Sequence, residues 1–156
     1  MGHGEETYLV IIVADAGPIL HLHWIRGSSW GLPQQSIQVV EQVWLEIAKH
    51  APECLEDPRF VRIPPPESYP FDRDRFSLHD GEAAAIAVAL SHPGALLLTD
   101  DESARRACVE FRISAVGTIG LILAAAREGR IGVTEARAAL EALPNRGTAA
   151  RPWCGW

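Results

Sequence analysis

One feature constrains this chain more than any other: an unbroken apolar run, Tyr8–Ala14 (YLVIIVA), that stops at Asp15. A strand with one wet face alternates apolar and polar residues. A continuous β-branched run marks a central strand buried on both faces, as in parallel sheets. A second run, Ala95–Thr99 (ALLLT), has the same look and stops at Asp100 and Asp101. Ile113–Val116 reads as a third core strand, and Ser36–Val40 and Phe60–Ile63 as short strands. Helices are expected between them. These are Ile19–Ile25, Glu41–His50 with Val43 and Ile47 on one face, and an alanine-rich helix from a cap at Asp80 to about Leu90. Asp100–Val109, Thr118–Glu128 and Thr134–Leu143 follow. Arg26–Pro33, Pro52–Pro58 and Pro64–Arg75 read as irregular connections, being rich in glycine, serine, proline or charge. Strands alternating with helices predict an α/β fold of three layers, α/β/α, around a central, mainly parallel sheet.

The 156 residues suit one domain with one core. Residues 1–7 are expected to be disordered, 8–144 to form the domain, and 145–156 to be an irregular tail. Trp153 and Trp156 in that tail are expected to cover an apolar groove of this chain or of a partner. No apolar run nears the roughly 18 residues of a membrane span. The first run lacks a basic leader and a cleavage site, so a cytoplasmic protein without a signal peptide is expected. Cys54, Cys108 and Cys154 are odd in number, far apart and without a CxxC pair, which argues against zinc or a disulfide framework. A net charge of −6 argues against gripping nucleic acid by bulk charge. It leaves room for a nuclease, because an acidic metal pocket itself adds negative charge.

Ligand sites in parallel α/β sheets lie beyond the carboxyl ends of the strands. Acids stand there twice: Asp15 after the first run, Asp100 and Asp101 after the second. Glu46 lies late in the Glu41–His50 helix and Glu82 in the first turn of the alanine-rich one, within reach of the same crevice. Oxygen ligands without histidine or cysteine suit a hard cation, Mg²⁺ or Mn²⁺. Such a cation relieves the repulsion of clustered carboxylates and activates water for phosphodiester cleavage. Each acid also has a local explanation, Asp15 as a turn residue and the others as helix-terminal acids or caps. Their coincidence at strand ends favours function.

Five segments, in order, resemble PIN domains of the VapC-like toxin ribonuclease subgroup. VIIVADAGPIL, with Asp15, Gly17 and Pro18, is similar to the family's opening motif, and VVEQVWLEI, with Glu46, to its second acidic motif. LHDGEAAAIAVAL, with Gly81, Glu82 and Ile86, resembles the G-E-A-x-A-I helix. LLLTDDESARRAC, with Thr99, Asp100, Asp101 and Arg105, resembles T-D-D-x-x-A-R. AVGTIGLILAAAREGRI, with Gly117, Thr118 and Gly120, resembles the closing G-T-x-G-L helix. The resemblance implies a PIN-like fold and an Mg²⁺- or Mn²⁺-dependent ribonuclease acting on RNA, commonly a homodimer held by a small antitoxin protein. It implies that Asp15, Glu46, Glu82 and Asp101 ligate metal or activate water. Asp100 competes with Asp101 for the fourth place, and Thr99 helps by hydrogen bonding. Arg105 is expected to pair with a carboxylate or to hold a phosphate. Gly17 replaces a usual Ser or Thr, Val40 a usual proline and Ala84 a frequent glutamate. Those departures motivate a second reading, a PIN-like binding or regulatory module with weakened cleavage.

A third reading is phosphotransfer on a strand-end aspartate. It requires a lysine near the phosphate, whereas the sole lysine, Lys49, lies late in a helix and no D-x-D-x-T follows the first strand. His21 and His23, two apart on a helix, point to different faces and are not expected to share a metal.

Overall fold

The computed structural model describes residues 10–143. Among them, five strands form one sheet in which every pair is parallel: β1 (Ile12–Ala14), β2 (Ile37–Val40), β3 (Phe60–Ile63), β4 (Leu96–Leu98) and β5 (Ser114–Val116). The spatial order is β3-β2-β1-β4-β5. Helices α1 (Ala16–Trp24), α2 (Ser28–Gly31), α3 (Glu41–His50), α4 (Asp80–Leu90), α5 (Glu102–Phe111), α6 (Thr118–Arg127) and α7 (Val133–Ala142) surround it as the outer layers of an α/β/α fold.

The apolar runs explain the middle of the sheet. All three residues of β1 are buried, so both faces of that strand are covered, the condition under which parallel sheets form. Val13, Leu20, Ile37, Ile86, Leu97 and Ile122 have essentially no exposed surface and link the helices to the sheet. In α4 seven consecutive residues from Ala83 to Ala89 are buried, which alanine permits by letting the helix lie close to the strands.

The chain runs outward from β1 through β2 to β3, then crosses back to place β4 on the other side of β1. That reversal makes the carboxyl ends of β1 and β4 a topological switch point, where a crevice opens between diverging connections. The register Ala14↔Leu98 aligns the two ends, and Asp15 N–H donates to the Leu98 carbonyl at 2.8 Å.

The elements differ from the sequence expectations in specific ways. The first strand is shorter than Tyr8–Ala14, and its Tyr8 and Leu9 lie outside the described residues, as do Trp153, Trp156 and Cys154 of the tail. Ile113–Val116 is an edge strand rather than a core strand: β5 exposes Ser114 and only half-buries Ala115 and Val116. The loop Arg26–Pro33 holds the short α2, Pro52–Glu56 is a 3-10 helix, and Arg73–Phe76 is another within the expected surface connection. Asp80 is the first residue of α4 rather than its cap, which is His79. Cys54 and Cys108 are free, buried thiols. No helix among the described residues is long and apolar enough to cross a membrane.

Leu97, in the central strand β4, has no exposed surface. Leu97→Ala should cost about 2–5 kcal/mol of unfolding free energy. In urea titration the midpoint should fall at unchanged slope; an unchanged midpoint would contradict this placement of the core.

Candidate active site

Asp15 ends β1 and caps α1. Its Oδ1 accepts from Ala16 N–H at 2.9 Å and its Oδ2 from the Thr99 hydroxyl at 3.2 Å. Thr99, buried at the end of β4, also accepts from Asp101 N–H at 3.2 Å, so one hydroxyl ties the ends of the two central strands together. Asp101 caps α5, its Oδ2 accepting from Ala104 N–H at 2.8 Å. Glu82 reaches back one turn of α4 to accept from His79 N–H at 3.3 Å through Oε1. Its other oxygen, Oε2, is buried and has no N–H or hydroxyl donor among the described residues. Glu46 approaches from α3. A Cβ at Gly81 would sit 3.4 Å from Glu46 Oε2 and 4.0 Å from Asp15 Oδ1, so these carboxylates face each other across the bare start of α4.

The electrostatics show how crowded the acids are. Burial first, then the neighbouring charges of Glu46 and Asp101, push Asp15 from the usual 3.8 up to about 7, against the hydrogen bonds from Ala16 and Thr99. Burial, together with the Asp101 carboxyl group beside it and the charge of Asp15, pushes Glu82 from 4.5 up to about 9. Burial also raises Glu46, against the opposing charges of His50, His79 and Lys49. Asp15, Glu46, Glu82 and Asp101 therefore lie within one another's electrostatic reach, and Asp15, Glu46 and Glu82 hold their protons more tightly than free carboxylates do.

Asp100 does not join it. Its Oδ1 accepts from Thr118 N–H at 2.6 Å at the start of α6, and its Oδ2 accepts from the Thr118 hydroxyl and from His21 Nδ1 at 2.6 Å. Burial would raise its pKa, but the hydrogen bonds from His21 and Thr118 overcome this and hold it below the usual carboxylate range. The space for this arrangement exists because residue 117 is glycine. A Cβ there would lie 2.6 Å from Asp100 Oδ1 and 3.0 Å from Arg105 Nη1. Arg105 thus lies beside the Asp100 side of the loop. His21 and His23 diverge, His23 pairing with Glu53 at 3.0 Å. Sequence reasoning set His21 aside by considering only a histidine pair. The signal for its role was its position on the helix after Asp15, and its partner is 79 residues away.

A family model, DUF3368, described as a PIN domain, matches residues 11–152. The chain belongs to the PIN domain family. Comparison with curated proteins and with solved structures gave no significant match. PIN domains are in general nucleases that use divalent metal ions. In this PIN domain no group of three or more His, Cys, Asp or Glu side chains, among the described residues, is gathered closely enough to hold a metal ion as it stands. The chemistry of the donors nevertheless fits a hard divalent cation. All four groups are carboxylates, the proton affinities of Asp15, Glu46 and Glu82 are raised, and one buried Glu82 oxygen has no N–H or hydroxyl donor among the described residues.

The sign of the pH dependence follows. Asp15 and Glu82 bind protons more tightly in the fold than in the unfolded chain. Their contribution to stability is full below the ordinary carboxylate range and is lost as pH rises through about 7 and about 9. Asp100, shifted downward, acts only below that window. In EDTA the melting temperature should therefore fall from pH 5 to pH 9, and Mn²⁺ should raise it more at the alkaline end. A melting temperature that rises across this range in EDTA would contradict the acid group.

Proposed function

We propose that this PIN domain is a metal-dependent endoribonuclease, with Mg²⁺ or Mn²⁺ held by Asp15, Glu82 and Asp101 and with Glu46 completing the group. We further propose that it is the toxin of a toxin–antitoxin pair, restrained by a small antitoxin protein and acting as a homodimer. The observation that supports the metal site is the buried Oε2 of Glu82, which no N–H or hydroxyl among the described residues reaches, beside three further carboxylates at the switch point of the sheet. Leaving a buried carboxylate oxygen unpaired is costly, and a cation is the partner that four acids in common can accept. The toxin role rests on the ordered likeness of the five motifs to VapC-like sequences.

Each carboxylate is oriented by the chain before any ligand arrives. Asp101 commits Oδ2 to Ala104 N–H and Glu82 commits Oε1 to His79 N–H, which leaves Oδ1 of one and Oε2 of the other for the crevice. Asp15 is fixed through both oxygens, each of which retains a lone pair. When bound, a divalent cation would polarise the scissile phosphate and lower the pKa of the attacking water. Glu46, half-buried and facing Asp15, is placed to take the proton that water gives up. Thr99 keeps Asp15 and Asp101 in step. Asp100 acts as a positioning residue, pinning the loop that carries Asp101 to the start of α6.

On a quenched single-stranded RNA reporter with Mn²⁺, Asp15→Asn and Asp101→Asn should abolish cleavage, as should EDTA. Asp100→Asn should retain cleavage, lowered by about 10–100-fold as expected for a residue behind the ligands. Persistent cleavage by Asp15→Asn, or equal loss in Asp100→Asn and Asp101→Asn, would overturn these assignments.

A further inference from the structure

An RNA strand threaded to this acid group meets a chain of net charge −6, so its grip must come from local cationic and aromatic groups. The segment that leads into α4 carries them. Tyr69, Phe71, Phe76 and Phe111 form a connected aromatic cluster, with centroids 6.0 Å (Tyr69–Phe71), 5.3 Å (Phe71–Phe111) and 5.6 Å (Phe76–Phe111) apart. The Arg73 guanidinium sits over the ring of Tyr69, its carbon 4.6 Å from the centroid.

This stacked pair is tied to both helices that carry the acids. Gln42 Nε2 donates to the Tyr69 hydroxyl at 3.3 Å. Gln42 stands one turn before Glu46 on the same face of α3. On the other side Arg73 donates to Asp80, the first residue of α4, two positions before Glu82. The Arg73 side chain keeps 37 % of its surface exposed, and Asp80, at 84 %, holds it through an open, water-screened ion pair. A guanidinium backed by an aromatic ring offers a flat cationic surface for a base, and its free N–H groups suit a phosphate oxygen.

We propose that the Tyr69–Arg73 pair is a stacking subsite for single-stranded RNA, holding a nucleotide beside the scissile phosphate. This rests on the ribonuclease reading above. The subsite orders the strand along α3 from Gln42 toward Glu46, and it takes a base by its face rather than by its edges, so it tolerates sequence.

The test is binding, measured in EDTA so that cleavage is absent, by fluorescence anisotropy of a short mixed-sequence single-stranded oligoribonucleotide. Arg73→Lys keeps the charge and removes the plane. It should weaken binding about tenfold with an unchanged dependence on salt. Arg73→Gln should weaken binding at least as much and lower the log–log salt slope by about 0.7. Arg73 is partly exposed, and equal melting temperatures of parent and both variants show that the fold is intact. An Arg73→Lys protein that binds as tightly as the parent, or a parent that does not bind the oligoribonucleotide, overturns the subsite. Asp15-dependent cleavage stands independently of either result. A chain that binds in this way and never cleaves would instead overturn the ribonuclease reading.

Discussion

The pairing of β1 with β4 sets everything else in this molecule. Because Ala14 lies opposite Leu98, the residues that follow, Asp15 and Thr99, leave the sheet side by side. The Asp15 N–H to Leu98 carbonyl bond and the Thr99 hydroxyl to Asp15 carboxylate bond fix that relation. Slipping the register by one residue would separate the acids and swap the covered faces on which Val13 and Leu97 pack. The same apolar packing that stabilises the sheet therefore enforces a concentration of negative charge that the sheet alone would not favour. Two buried and two half-buried carboxylates meet there, and the fold holds them together by hydrophobic burial elsewhere.

Asp100 and Asp101 show how one step along the backbone separates two roles. Asp101 turns inward toward Glu82 while capping α5. Asp100 turns the other way and gathers the start of α6 and His21 of α1. Three chain segments far apart in sequence are thereby stitched beneath the acid group. The arrangement also explains Gly117, since any side chain there would strike Asp100. Local hydrogen bonding pulls Asp100 down and crowding pushes Glu82 up, so the environment, not the residue type, divides the acids.

Much of this was legible in the sequence, and the reasons differ by element. The runs around Val13 and Leu97 announced central parallel strands because burial on both faces erases alternation. The strand-end positions of Asp15, Asp100 and Asp101 then pointed to a candidate site, by the geometry of parallel sheets. Glu46 and Glu82 followed from the family resemblance more than from pattern, since acids on helices are common. Choosing between Asp100 and Asp101 was beyond the sequence, because adjacent residues in a turn diverge by a backbone torsion that composition does not encode. β5 was misread as core because Ile113 and Val116 look alike whether a strand is central or at an edge. The Tyr69–Arg73 pair was read only as part of a charged surface connection. Its proximity to the acids is created by α3 and α4 packing together, which is tertiary information.

The central claim is that Asp15, Glu82 and Asp101 share one divalent cation. A crystal structure of the protein with Mn²⁺, read by anomalous scattering, tests it most directly. The account predicts one strong peak within about 2.0–2.6 Å of Asp15, Asp101 and the Oε2 of Glu82, with Asp100 still bonded to Thr118 and His21. A peak on Asp100 and His21, or a saturated crystal with no peak at the ends of β1 and β4, would contradict it.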